Sequence, residues 1–266
     1  MTTGTAPAPP RRIPRQRVLT DALVLTRRNL LKYPRIPTLL LFSTIQPVMF
    51  VLLFVFVFGG AIQIPGVDYK NFLMPGIFVQ TAIFGSTQTG VGLAEDLNKG
   101  IIDRFRSLPM ARSAVLVGRT ASDATRNMFV VVLTTLVGYI VGFRFQAGPV
   151  KALAAMLLAV AFGYAFSWIS ASIGLSVRDV ETAQAAGFVW VFPLVFASSA
   201  FVPVETMPGW LQAFAEINPV TVTVDALRAM VLGTPLTPSL WYALAWIAAI
   251  LCVFIPLSVR QYRRAV

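Results

Sequence analysis

Six stretches of this chain are long, apolar and almost free of charge: Thr38–Gly60, Phe72–Leu93, Thr120–Gly142, Ala152–Leu175, Ala183–Val202 and Leu240–Arg260. A helix of about 20 such residues crosses the roughly 30 Å of bilayer hydrocarbon. The short alternating segments of a membrane β-barrel are absent from the pattern. The expected fold is therefore an all-α polytopic membrane protein with six transmembrane helices. A transmembrane domain would run over residues 38–260, followed by a short basic tail, 261–266.

Three segments break this pattern. Residues 1–16 are rich in Pro, Thr and Arg and predict a disordered tail. Residues 17–37 place Leu19, Ala22, Leu23 and Leu30 on one side, with Arg17, Arg27, Arg28 and Lys32 elsewhere. That pattern predicts an amphipathic helix on the inner leaflet, its cations meeting anionic lipid, before Pro34 and Pro37 turn the chain into the first span. Between spans two and three lies a charged island, residues 95–112. From Asp96 to Leu108 it has helical periodicity, with Leu97, Ile101, Phe105 and Leu108 on one face and Glu95, Asp96, Lys99, Asp103 and Arg106 largely off it. Gly100 weakens this helix and Pro109 stops it. Between spans five and six, residues 203–237 are mildly apolar but interrupted by Pro203, Pro208, Asn218, Pro219 and Pro235. They read as a re-entrant helical hairpin dipping into the outer leaflet, the alternative being a surface loop. Thr206 is the expected N-cap of its first helix, which carries Trp210, Leu211 and Phe214. Its second helix sets Val224, Leu227 and Met230 or Val231 on one face, with Asp225 and Arg228 paired three residues apart.

Composition agrees. The 266 residues are 56% hydrophobic and 12% charged, with mean hydropathy +0.73, against about 25% charged in soluble domains. No cleavable signal peptide is visible in the first 37 residues, so the N-terminus is expected to remain in the cytoplasm. With that orientation 18 of the 22 Lys and Arg residues fall inside, leaving Lys70, Arg144, Lys151 and Arg228 outside. The bias assigns both termini to the cytoplasm and favours an even number of crossings. It also accounts for the net charge of +11 without a nucleic-acid partner. With no histidine and one cysteine, Cys252, the chain can form no intrachain disulfide, and zinc-ligand clusters and His-dependent catalytic dyads or triads are excluded.

Nor does the chain carry an engine. No G-x-x-x-x-G-K-[ST] run is present to hold nucleotide phosphates. The spans lack the ionisable groups of an ion-driven carrier, apart from Asp123 and Arg126 near the start of span three, which are expected to pair or snorkel at the inner boundary. They do hold mild polarity and many rings. Gln46, Gln80, Phe84, Gln88, Gln184, Trp190, Phe196 and Ser198 are the expected substrate-pathway or dimer-interface residues. The small residues from Gly85 to Gly92 permit close helix approach, and Pro47 frees a carbonyl in span one. A pathway of this kind suits a hydrophobic or amphipathic molecule. Active movement would need a partner, and the island is the place to receive it, through Glu95, Asp96, Lys99, Asp103, Arg104, Phe105, Arg106, Leu108, Pro109 and Arg112.

Three blocks carry a resemblance. Glu95–Arg119, EDLNKGIIDRFRSLPMARSAVLVGR, closely resembles the cytoplasmic loop between spans two and three of ABC-2-type permeases, nearest to the daunorubicin-resistance (DrrB-like) branch. Asn71–Ile77 resembles the family's opening of span two, and Val204–Arg228 its outer-face hairpin. Order and spacing match over nearly the whole chain. The resemblance implies a permease subunit that dimerises with a second copy and pairs with two copies of an ATP-binding subunit. ATP and magnesium would sit on that partner, with no cofactor in this chain. It also implies that the island includes the coupling helix, and that a drug, lipid or lipid-like metabolite is exported across a prokaryotic plasma membrane. A membrane scaffold for lipid or cell-wall synthesis and a secondary multidrug carrier are the other function classes in view.

Overall fold

The computed structural model describes residues 15–31, 37–62, 64–101, 112–177, 179–236 and 238–264. These form helices and no strand: α1 Arg15–Leu30, α2 Pro37–Leu52, α3 Tyr69–Asn98, α4 Arg112–Ile140, α5 Pro149–Ser176, α6 Val180–Phe196, α7 Gly209–Ile217, α8 Pro219–Leu232 and α9 Ser239–Arg264. A π-helical stretch, Leu53–Phe58, prolongs α2 beyond Pro47. Helices α5 and α9 are long and apolar enough to cross a membrane. Helices α3 and α4 are as long, 30 and 29 residues, but carry polar stripes. Of the expected N-terminal tail, residues 1–14 lie outside the described residues, and α1 begins at Arg15.

The bundle is organised around α3, which is buried along most of its length. Its most extensive partner is α5. In lipid, apolar contact gives little net drive for helix association, so close packing and backbone approach must hold the bundle. The α3–α5 seam shows how: a Cβ added at Gly174 would collide with the Gly90 carbonyl, and one at Gly90 with the Ser170 carbonyl. Around this seam a large core gathers Leu73, Ile77, Phe78, Phe162, Phe166, Val191, Val224 and Leu227. A smaller core at the island end joins Leu25, Leu93, Leu116, Trp168, Ala171 and Tyr262.

Helix α1 packs on α4. Ala22, Leu25 and Asn29 are buried, and the Thr26 hydroxyl donates to the Gly118 carbonyl at 3.3 Å. The expected apolar side is thus split: Ala22 faces the bundle and Leu23 is exposed.

Helix α6 opens on Asp179, whose carboxylate accepts from the Thr182 N–H at 2.6 Å and its hydroxyl at 2.8 Å. Those bonds hold the Asp179 carboxyl below the usual carboxylate range. The helix stops at Phe196, short of the expected Val202, because the Ser198 hydroxyl captures the backbone there. Ser198 Oγ donates to the Val195 carbonyl and accepts the Ala200 N–H. Ser198 is therefore a fully buried turn residue rather than a helical one.

The segment after it forms the consecutive helices α7 and α8. Its first helix is opened by Pro208, while Thr206 bonds backward to the Pro203 carbonyl at 2.7 Å and closes a 3₁₀ turn, so Thr206 is not the cap. Asn218 pins the junction of α7 and α8. Its Nδ2 donates to the Leu194 and Ala197 carbonyls, both at 2.8 Å, and its Oδ1 accepts the Val220 N–H. On α8, Arg228 Nη1 meets Asp225 Oδ1 at 2.7 Å, and its guanidinium lies 3.6 Å over the Phe72 ring.

Candidate functional site

A cavity of about 380 Å³ opens between α1, α2, α3 and α4 at the island end of the bundle. On α3, Gln80, Phe84, Gln88 and Glu95 recur at helical spacing and give one lining face. Opposite them α4 sets Arg119, Ser122, Arg126 and Asn127, again on one face. Helix α2 adds Ser43, Gln46 and Pro47, and α1 reaches in with Asn29.

Four of the expected pathway residues, Gln46, Gln80, Phe84 and Gln88, thus come together. The other four do not join them. Gln184 is exposed on α6. Trp190 stacks on Phe166 of α5 at 5.4 Å between ring centroids. Phe196 belongs to a run of rings from Phe192 through Phe196 to Phe201 and Phe54. Ser198 lies in the turn described above.

One wall of the cavity is a buried polar network centred on Asp123, which is 1% exposed. Thr89 Oγ1 donates to Asp123 Oδ2 at 2.6 Å, Arg119 Nε lies 3.4 Å from the same oxygen, and Arg126 Nη1 lies 3.9 Å from Oδ1. Arg126 Nη2 donates to the Gly85 carbonyl and to Asn127 Oδ1, and Asn127 Nδ2 donates to the Ala82 carbonyl at 3.2 Å. Arg119 Nη1 also lies 3.8 Å from Asp96 Oδ2. Asp123 and Arg126 do pair, as their spacing predicts, but both are at least nine-tenths buried. Burial at this level is stable only because each charge has an opposite neighbour. Arg119, Asp123, Arg126 and Asn127 form a polar stripe at i, i+4, i+7 and i+8 on α4. That periodicity was readable; Asn29 carried no such signal.

The island is divided in two. Helix α3 continues through Glu95, Asp96 and Asn98, then ends at Gly100 in the left-handed region, φ 63°. The expected continuous helix from Asp96 to Leu108 is therefore broken where a residue without Cβ allows it. Glu95 and Lys99 pair on the exposed side, and that bond raises the Lys99 pKa. Asp96 instead turns inward to Arg119. Asp103, Arg104, Phe105, Arg106, Leu108 and Pro109 lie outside the described residues, and Arg112 opens α4.

Comparison with known proteins bears on what this arrangement serves. Residues 20–232 match the family described as ABC-2 type transporter. The chain is 34% identical over 236 residues to the daunorubicin resistance ABC transporter permease protein DrrB1 of Streptomyces coeruleorubidus, covering 89% of this chain and 83% of that one. It is 26% identical over 249 residues to a doxorubicin resistance ABC transporter permease, DrrC, of Mycobacterium tuberculosis, covering 93% and 90%. DrrB of the same organism is 25% identical over 181 residues, covering 68% and 63%.

Proposed function

Because this chain belongs to the ABC-2 type transporter family, we propose that it is the membrane-spanning subunit of an exporter driven by a separate ATP-binding subunit. Helices α2, α3, α4, α5, α6 and α9 are its six spans, α1 lies at the inner leaflet and α7–α8 dips into the outer leaflet. Both termini are cytoplasmic, in a prokaryotic plasma membrane. Two copies of the chain pair with two ATP-binding subunits, which carry the ATP and magnesium. The cargo is a hydrophobic or amphipathic drug, lipid or lipid-like metabolite. The relatives' names, with daunorubicin and doxorubicin resistance in them, support a drug among these.

The observation that carries the mechanism is the shared scaffold of island and cavity. Gln80, Phe84, Gln88 and Glu95 lie on one face of α3, and Arg119 ties Asp96 to α4. A push on the island is then transmitted along both cavity walls as a rigid tilt, which changes the side to which the pathway opens. A proton-driven carrier is the weaker reading, since Asp123 is held by Thr89, Arg119 and Arg126.

Reversing the charges of Asp103, Arg104 and Arg106 together should abolish stimulation of the partner's ATPase, or complex formation, in reconstituted vesicles. Intact assembly and transport in that triple variant would remove the coupling role from the island.

A further inference from the structure

The cavity contains more unspent hydrogen-bonding capacity than a packing defect would. Gln80 is 3% exposed and Thr81 7%, both line the cavity, and neither Gln80 Oε1 nor Thr81 Oγ1 has a hydrogen-bond partner. Buried polar atoms are normally satisfied, because an unmet donor or acceptor loses its water without replacement. Arg126 adds donors. Its Nη2 is committed to Gly85 and Asn127, while Nη1 stands 3.9 Å from Asp123 Oδ1, beyond hydrogen-bond reach. Residues lining the cavity thus carry an acceptor, a hydroxyl and guanidinium N–H groups at its wall.

Charge narrows what can fill it. Among the described residues, the charged side chains lining the cavity are Arg119, Arg126 and Glu95, and their ion-pair partners are Asp123, Asp96 and Lys99. Each of these lining charges thus has an opposite partner. A ligand bearing a fixed charge would enter this low-dielectric space with no counter-charge left for it. A neutral ligand that both gives and takes hydrogen bonds meets no such penalty. Phe84, Val91, Val130 and Pro47 supply the apolar part of the wall, and the volume falls within the range of small-molecule sites.

We propose that this cavity binds the uncharged, hydroxyl- or carbonyl-bearing head group of an amphiphile, with Gln80, Thr81 and Arg126 as its polar contacts. The proposal deepens the transport reading and rests on it only for the ligand's being cargo; the binding stands apart from transport.

The test uses the full chain in phosphatidylcholine nanodiscs and a photoactivatable alkyl glucoside as probe. The probe should cross-link to peptides of α3 around Gln80 and of α4 around Arg126. An unlabelled alkyl glucoside should displace it at least about tenfold better than an alkyl sulfate or alkyl trimethylammonium of equal chain length. Gln80→Leu and Thr81→Val should each weaken glucoside binding by about 3- to 10-fold, the effect of one hydrogen bond, with the ionic amphiphiles unmoved. Should Gln80→Leu fail to fold, Thr81→Val carries the comparison. Displacement by a neutral glycolipid doped into the disc would identify a membrane lipid as the source. Displacement by the soluble glucoside alone would identify a free amphiphile. Either supports the head-group chemistry. Equal competition by an ionic amphiphile, unchanged binding in both variants, or labelling elsewhere would overturn the proposal. Binding at this site without ATP-driven movement in vesicles containing the partner would instead count against the transport reading alone.

Discussion

Asp123 is the residue on which the wall of the cavity turns. A carboxylate this deep needs partners to offset its lost hydration, and the Thr89 hydroxyl donates to it at 2.6 Å. Thr89→Val keeps the shape and deletes the donor. A hydrogen bond to a charged group contributes about 1.5–3 kcal/mol, so the variant should be destabilised by about 2 kcal/mol, read as a lowered unfolding midpoint in detergent. An unchanged midpoint would mean that Arg119 and Arg126 already hold Asp123 without help. The reverse variant, Asp123→Asn, should weaken the hold on Arg119 and Arg126 together, since both guanidinium groups lose the same counter-charge.

At the level of elements, the seam between α3 and α5 sets the geometry of everything else. Gly90 and Gly174 let the two backbones touch, and no rotamer change can make room for a methyl group that meets a carbonyl. Gly174→Ala should cost about 1–3 kcal/mol, as overpacking does, and should shift α3 relative to α5. A double-mutant comparison with Thr89→Val would read any transmission of that shift to the cavity; strict additivity would mean that the seam and the cavity are independent. The glycine-rich run on α3 was legible as a close-approach surface, because small residues in an apolar helix have few other uses. The end of α6 was not legible. Hydropathy continues through Ala197–Val202, while the event that stops the helix, the Ser198 hydroxyl taking backbone partners, leaves hydropathy unchanged. The break at Gly100 lay between these cases: glycine marked a weak point, but a helical periodicity that runs on past it does not say whether its backbone turns left-handed.

For the whole molecule, apolar runs and the placement of Lys and Arg suffice for a helical membrane protein, because the bilayer imposes one length and one sign rule on every span. Which helices enclose a cavity is a matter of tertiary contact, and half of the residues expected at a substrate pathway or a dimer interface lie outside this cavity. Trp190 and Phe196 are aromatic residues whose partners lie within the same chain. The orientation can be checked directly. In a Cys252→Ala background, Lys99→Cys should react with an impermeant maleimide only from the cytoplasmic face, and Gln212→Cys only from the outside. Reaction of both from one face would remove the six-span arrangement.

The pairing of each described charge that lines the cavity has an electrical consequence. Moving one net charge through a membrane potential of 100 mV involves about 2.3 kcal/mol. If the chain exports a neutral cargo as proposed, a wall whose lining charges are all paired does no such work when it tilts. ATP-driven transport in reconstituted vesicles should then be unchanged by an imposed membrane potential.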